Sequence, residues 1–247
     1  RVGGHNVGDE YLGLDPKFSP WRDTHVRIDG PAAIQLQIVA MLDWYWATRE
    51  IPSLNWEPRL AENGCSHAMI VGSAPSQSLE TAGLLFVNAL NSAHSRVWLS
   101  APYFVPDEAV MKALKLAALR GVDVRVLLTG KGDSLPVFLA AYDYIRQLAD
   151  LKKIRFFEYR PGFLHEKVML VDDEVSTVGT ANFDNRSFRL NFEVTAVIAD
   201  RDFARQMGEM FEKDFAHSEE LDPATLKDRS RRWQFAVRLC SLASPIL

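Results

Sequence analysis

His165 and Lys167 stand two residues apart in the segment Gly162-Phe163-Leu164-His165-Glu166-Lys167-Val168-Met169-Leu170-Val171-Asp172. Where such a segment is extended, alternate residues share a face, so an imidazole and an ammonium project together. An imidazole can attack phosphorus or carry a proton near neutral pH, and an ammonium can neutralise phosphate oxygens. Further along, Thr180 and Asn182 of Gly179-Thr180-Ala181-Asn182 share one parity and can bring a hydroxyl and an amide to the same place. Together these are the groups that phosphodiester transfer requires, a reaction of positioning and charge stabilisation. Singly they say little: a lone strand histidine is more often structural than catalytic, and a lone lysine is usually solvated. The joint spacing His-x-Lys-(x)4-Asp-(x)6-Gly-Thr-x-Asn is what points to a site. Asp172 falls at an expected turn, where a carboxylate is easily solvated.

The elements that must carry these residues follow from hydrophobic period. Ala32–Arg49 has apolar residues at helical spacing, after a short alternating strand over Thr24–Ile28. Ile51–His67 lacks periodicity and reads as a connection. From there strands are predicted at Ala68–Gly72, Val97–Ala101, Val122–Leu128 and Ile154–Tyr159, with helices at Leu79–Ala93, Asp107–Arg120 and Leu135–Leu148 between them. That alternation implies βαβ units and a largely parallel sheet. A hairpin follows at Lys167–Val171 and Val175–Val178, then a strand at Phe192–Ile198, a helix at Phe203–Phe215 and a last helix over residues 222–240.

A weak internal repeat links the two ends of this plan. Gly3-Gly4-His5-Asn6 resembles Gly179-Thr180-Ala181-Asn182; each precedes a loop, an acidic residue opening a strand (Asp23, Glu193), and a helix ending in Asp-aromatic (Asp43-Trp44, Asp214-Phe215). Two such halves would pack about a pseudo-twofold axis. The bland alternative is coincidence between short polar loops.

Composition narrows the class. The 247 residues are 47% hydrophobic and 24% charged, which describes a folded globular chain and excludes disordered and fibrous ones. The net charge of −4 argues against a nuclease, since phosphate neutralisation usually needs a basic surface. Cys65 and Cys240 are far apart and form no metal-ligand spacing or disulfide framework, as in a reducing compartment. No window approaches the ~20 apolar residues of a membrane span. The chain opens on Arg1-Val2-Gly3-Gly4 without a preceding element, and the expectation is that an N-terminal portion, with any anchors, lies upstream.

The His-x-Lys motif with its Gly-Thr-x-Asn tail resembles the signature of the phospholipase D superfamily. Asn182–Glu193, Ala101–Asp107, Trp21–Pro31 and the ending Ser244-Pro245-Ile246-Leu247 are similar to bacterial cardiolipin synthases. Val71-Gly72-Ser73-Ala74-Pro75-Ser76 departs from that family, which usually has Ser-Gly-Pro-Asp there. The resemblance implies an α/β fold, a mixed β-sheet flanked by helices, in two pseudo-twofold halves. Residues 1–60 would be the remnant of the first half and 61–247 the second. Family members carry one His-x-Lys-(x)4-Asp motif per half, and only the Gly-Gly-x-Asn tail of the first is present.

In such enzymes one histidine forms a phosphohistidine and the other serves as acid and base, without a metal or other cofactor. The resemblance implies His165 as one of them and Lys167 as the phosphate-neutralising cation, with Asn182, Asn6 and Thr180 adding donors. Glu193 would orient His165, Asp23 would do the same for the missing histidine, and Asp172 would support the motif. The implied reaction joins two phosphatidylglycerols into cardiolipin with release of glycerol, at a bacterial cell membrane with the catalytic domain in the cytoplasm and no nucleic-acid partner. Hydrolysis by water, a nuclease, and a non-catalytic pairing module are the alternatives. Lys227, Arg229, Arg231, Arg232 and Arg238 among Trp233, Phe235 and Val237 form a basic aromatic helix suited either to an anionic membrane surface or to solvent.

Overall fold

The β-branched runs and the helical-period runs alternate in space as they do in sequence in the computed structural model, which describes residues 1–62 and 64–246; Leu247 and the side chain of Lys227 lie outside the described part. The first stretch holds β1 (Val2–Gly3), β2 (Trp21–Arg22), β3 (His25–Val26) and α1 (Ala32–Thr48). Then come β4 (His67–Ser73), α2 (Thr81–Ser92), β5 (Arg96–Ser100), β6 (Phe104–Val105), α3 (Glu108–Leu119), β7 (Asp123–Thr129) and α4 (Leu135–Leu148). The remainder is β8 (Ile154–Tyr159), β9 (Phe163–Leu164), β10 (Val168–Val171), β11 (Val175–Gly179), β12 (Phe183–Asp184), α5 (Asn185–Arg189), β13 (Glu193–Ala199), α6 (Arg201–Ala216), β14 (Ser218–Leu221) and α7 (Arg231–Ser241).

Eight strands form one sheet in the order β14-β8-β7-β5-β10-β11-β13-β4. Only β5, β7 and β8 run parallel, joined by α3 and α4 as crossovers; every other pairing in this sheet is antiparallel. The expected largely parallel sheet is therefore corrected to a mixed one. Short connections such as Asp172-Asp173-Glu174 leave no room for a crossover helix and force antiparallel neighbours. Leu90 of α2, Leu114 of α3 and Ile145 of α4 pack on one face of the sheet with Val97, Val126 and Met169. Met207, Phe211 and Phe215 of α6 cover the other face over Trp98, Leu127 and Leu170. Asp107 caps α3 by accepting from the Val110 amide, and Asp200 caps α6 through the Phe203 amide. The expected last helix over 222–240 is broken: a 3-10 turn at Pro223–Asp228 precedes α7, which Ser230 caps.

The internal repeat has a structural counterpart. β1 and β3 pair antiparallel with Gly3 opposite His25, and β11 and β13 pair antiparallel with Gly179 opposite Thr195. In both, the residue opposite the glycine lies two positions after the acidic residue, Asp23 or Glu193. β2 joins the N-terminal stretch to the rest by pairing in parallel with β9, Trp21 beside Phe163 and Arg22 beside Leu164. This approach is close: a Cβ on Gly162 would lie 1.9 Å from the Pro20 carbonyl oxygen.

Candidate active site

One step beyond the β2–β9 register, Asp23 comes beside His165. The His165 amide donates to the Arg22 carbonyl at 2.8 Å, and the side chains meet with His165 Nδ1 3.0 Å from Asp23 Oδ2. Gly4 permits this, since a Cβ there would stand 2.9 Å from both Asp23 Oδ2 and the His165 carbonyl oxygen. The expectation that His165 and Lys167 sit on one strand is corrected: both lie in the extended link between β9 and β10, and the hairpin strand begins at Val168. The chain passes there from one partner to another, because the Lys167 carbonyl already accepts from the Gly179 amide at 3.0 Å. The two side chains still share a side of the chain, and both residues line one cavity of about 670 Å³.

Trp21, Tyr11 and Phe163 pack around the His165 imidazole, with ring centroids 5.0, 5.5 and 6.0 Å away. This burial lowers the pKa of His165, the nearby Lys167 lowers it further, and the Asp23 hydrogen bond and charge work in the opposite direction. Burial opposes the Asp23 carboxylate too, but the His165 hydrogen bond and the charges of His165 and Lys167 outweigh it and hold its pKa below the usual range. A carboxylate can only accept, so His165 carries its proton on Nδ1 and leaves Nε2 with a free lone pair at neutral pH. That is the form of imidazole that can attack phosphorus or take a proton.

Lys167 is buried, and desolvation pushes its pKa down to about 8, against the attraction of Asp23, Glu193, Asp184 and Asp133. Its ammonium donates to the His165 carbonyl at 2.5 Å. Thr180, Asn182 and Asn6 line the same cavity, as does Glu193. The expected partnership of Glu193 with His165 is not formed. Glu193 accepts from the Thr180 hydroxyl and, at 3.0 Å, from the Asn191 amide, while the place beside His165 belongs to Asp23. The physical reason is the β2–β9 register, which brings the acidic residue of the N-terminal stretch across to the histidine. Thr180 is committed to this arrangement, since its hydroxyl also accepts from the Val194 amide at 2.9 Å. Asn182 Oδ1 is buried without a partner among the described residues. Asn6 donates to the Tyr11 hydroxyl at 2.9 Å. Asp172 sits at the other end of β10, in a left-handed turn with φ 52°, and accepts from the amides of His94, Ser95 and Arg96. It anchors the hairpin to β5 and touches none of the cavity.

Residues not singled out from the sequence matter here too. Glu166 points away from the cavity and is fully buried. It accepts from Thr24 Oγ1 at 2.5 Å and pairs with Arg22 at 3.2 Å, while Arg22 also grips Asp214 at 2.7 and 3.1 Å. Strand parity places Arg22 and Thr24 behind Asp23, and Glu166 behind His165 and Lys167. The alternation was readable, but the pairing was not. Arg22 Nη1 also holds the Asp23 carbonyl at 2.6 Å.

The chain is similar to known proteins over its whole length. A family model described as "Cardiolipin synthase, PLD-like domain" matches residues 86–215, more than half of it. Cardiolipin synthase A of Pseudomonas putida (strain F1) is 49% identical over 250 residues, covering 100% of this chain and 51% of that protein. Cardiolipin synthase A of Pseudomonas aeruginosa (strain LESB58) is 49% identical over 246 residues, covering 100% of this chain and 50% of that protein. The chain thus spans about half the length of these relatives. Among solved structures, phosphatidylserine synthase of Haemophilus influenzae Rd KW20 superposes with a TM-score of 0.72 over 99% of this chain and 68% of that one, at 14% identity. Nuc of Salmonella typhimurium, a phospholipase D family member, matches 63% of this chain and 98% of its own, with a TM-score of 0.51 and 24% identity. Those two likenesses are of fold. The relatives and the family model together settle the kinship: the chain belongs to the phospholipase D-like domain family of cardiolipin synthases.

Proposed function

We propose that this chain supplies the second half of a cardiolipin synthase active site, which transfers a phosphatidyl group from one phosphatidylglycerol to the free hydroxyl of another and releases glycerol. The observation that carries the reading is the His165 imidazole, oriented by Asp23 and set beside the buried Lys167 in one cavity. Residues 1–60 belong in this reading to the first half and 61–247 to the second. A second His-Lys pair, outside these 247 residues, completes the site. Glu193 then does for that histidine what Asp23 does for His165, since each lies two positions before the residue paired with the repeat's glycine.

One histidine attacks phosphorus and forms the phosphohistidine as the glycerol oxygen leaves with a proton from the other. That second histidine then takes the proton of the incoming hydroxyl, which attacks phosphorus and frees the first. Lys167 neutralises the phosphate oxygens, and Asn182 and Asn6 add donors. Thr180 acts through Glu193, which it holds. Phospholipid substrates put the protein at a bacterial membrane, with this domain on the cytoplasmic side, where two unpaired cysteines are at ease. Among the described residues no helix is long and apolar enough to cross a membrane.

The test uses the protein made from its complete reading frame, with phosphatidylglycerol in mixed micelles. Cardiolipin and glycerol should appear together, and His165→Ala should lower the rate by roughly 10³-fold or more. Phosphatidic acid as the only lipid product would assign a hydrolase instead. Full activity in His165→Ala would overturn the mechanism.

A further inference from the structure

α1 and α6 hold equivalent places in the two copies of the repeat, and α6 shows what such a helix has to bury. It packs Ala204, Met207, Phe211 and Phe215 on the sheet and gives Arg205, Glu209 and Glu212 to solvent. With Asp43 matched to Asp214, α1 has Ala33, Leu36, Ala40 and Trp44 at the sheet-packing positions. At the solvent positions, where α6 has Arg205, Glu209 and Glu212, it has Ile34, Ile38 and Met41. A third side meets β4 through Val39, whose methyl lies 3.0 Å from where a Cβ of Gly72 would be. α1 is therefore apolar on a face for which its counterpart needs only charge. Helices that are apolar all round are normally buried, yet no residue of α1 is, and Ile38 is 41% exposed.

We propose that the Ile34–Ile38–Met41 face of α1 docks on the surface of a phospholipid bilayer and leads the lipid into the catalytic cavity. The proposal rests on the phospholipid-substrate reading above. Continuity supports it: the same stripe runs on to Tyr45 and Arg49, and both line the cavity that holds His165 and Lys167. Composition supports it as well. Tyr45 and Trp46 are exposed side by side, and such amphipathic rings favour the membrane–water boundary. Arg49 has no carboxylate partner among the described residues and stands at the cavity rim, where an anionic lipid headgroup would pass. An upstream half packed as α6 is packed would cover the Leu36 and Trp44 side and leave this stripe free. The basic helix α7 has no such continuity, because it turns Val237 and Trp233 inward against α4 and lines no part of the cavity.

The test compares two substrates in the protein made from its complete reading frame: long-chain phosphatidylglycerol in vesicles and a short-chain phosphatidylglycerol dissolved as monomers. The double substitution Ile38→Gln with Met41→Gln changes no residue that lines the cavity itself. It should lower vesicle activity about tenfold, a loss of the size expected from about 1.4 kcal/mol of docking energy, and change monomer activity less than about twofold. Equal loss on both substrates would mean that protein, from the upstream half or a second copy, covers the face, and would overturn the proposal; so would no loss on either. Turnover of neither substrate by the unsubstituted protein would instead refute the functional reading itself. Amide exchange in the unsubstituted protein gives a second measurement that does not depend on the variant folding. Exchange over residues 34–45 should slow when phosphatidylglycerol vesicles are added and that of α6 should not, and unchanged exchange over residues 34–45 would overturn the docking.

Discussion

Asp23 raises the pKa of His165 while burial and Lys167 lower it, so removing the carboxylate has a direction. In Asp23→Asn the amide can present either a donor or an acceptor to Nδ1, and the tautomer preference is lost. We expect kcat to fall by about 10²–10⁴-fold with KM little changed, and the acid limb of the kcat/KM profile to move to lower pH. An unchanged profile would reduce Asp23 to a packing role. Lys167 makes a second prediction. Its pKa is lowered in the folded chain to about 8 from an ordinary 10.5. Below about pH 8 both folded and unfolded forms hold the proton, and the burial cost of the ammonium is carried in full. Above it the folded chain sheds a proton that the unfolded chain keeps, so stability rises with pH, by about 3 kcal/mol over the whole interval. Tyr103 and Tyr142 are raised by burial and oppose this once phenols ionise in the unfolded chain, which confines the clean window to between about 8 and about 10. Urea denaturation of the chain at about pH 7.5 and about pH 9.5 should show the rise, and Lys167→Met should remove it. His165 and Lys167 were legible in the sequence because their geometry is local, two residues on one extended stretch. The partner of His165 was not, because Asp23 lies 142 positions away and only a strand register decides between it and Glu193.

Behind that register stands an element-scale device. Arg22 on β2 joins the Asp214 carboxylate at the end of α6 to Glu166 in the link before β10, so one guanidinium holds three segments in place. Burial raises the pKa of Glu166 while Arg22 and Thr24 favour its charged form, so the fit depends on the cation being present. Arg22→Ala would leave two buried acids without it, and we expect a loss of about 3–5 kcal/mol in chemical denaturation. Glu166→Gln keeps the shape and the Thr24 contact and should cost far less; equal losses would show that packing and not charge is decisive. The long elements were readable because period and propensity suffice for them, as in α4 and β8, whose bounds match the expectation residue for residue. β14 was missed because Ser218-Glu219-Glu220-Leu221 has no apolar alternation. It is an edge strand held by antiparallel pairing to β8, with Arg155 gripping Glu220 and Arg160 gripping Glu219. β9 and β2 escaped notice because two-residue strands carry no period at all.

At the scale of the whole molecule the surroundings of Lys167 have an imbalance of charge. Asp23, Glu193, Asp184 and Asp133 all act on Lys167, and the nearby Arg22 is spent on Asp214 and Glu166 behind the site. A phosphodiester beside His165 would bring further negative charge, and the Lys167 ammonium, with a pKa near 8 and already shared among these acids, is a poor match for it even with Arg49 elsewhere in the cavity lining. In the proposed reading the balance comes from the first half, which brings its own histidine and lysine to Glu193, in keeping with relatives twice as long and with the repeated β1–β3 and β11–β13 register. These 247 residues by themselves should therefore give no turnover of phosphatidylglycerol, while the protein from the complete reading frame does. Restoring the proposed upstream half as a separate polypeptide should recover activity in proportion to complex formed, since in that reading the β2–β9 pairing already joins residues of the two halves. Turnover by the short chain that grows with the square of its concentration would mean that a second copy lends its own His165 and Lys167. Turnover linear in concentration would mean that a single half is sufficient, and the assignment of Glu193 to an absent histidine would then be wrong.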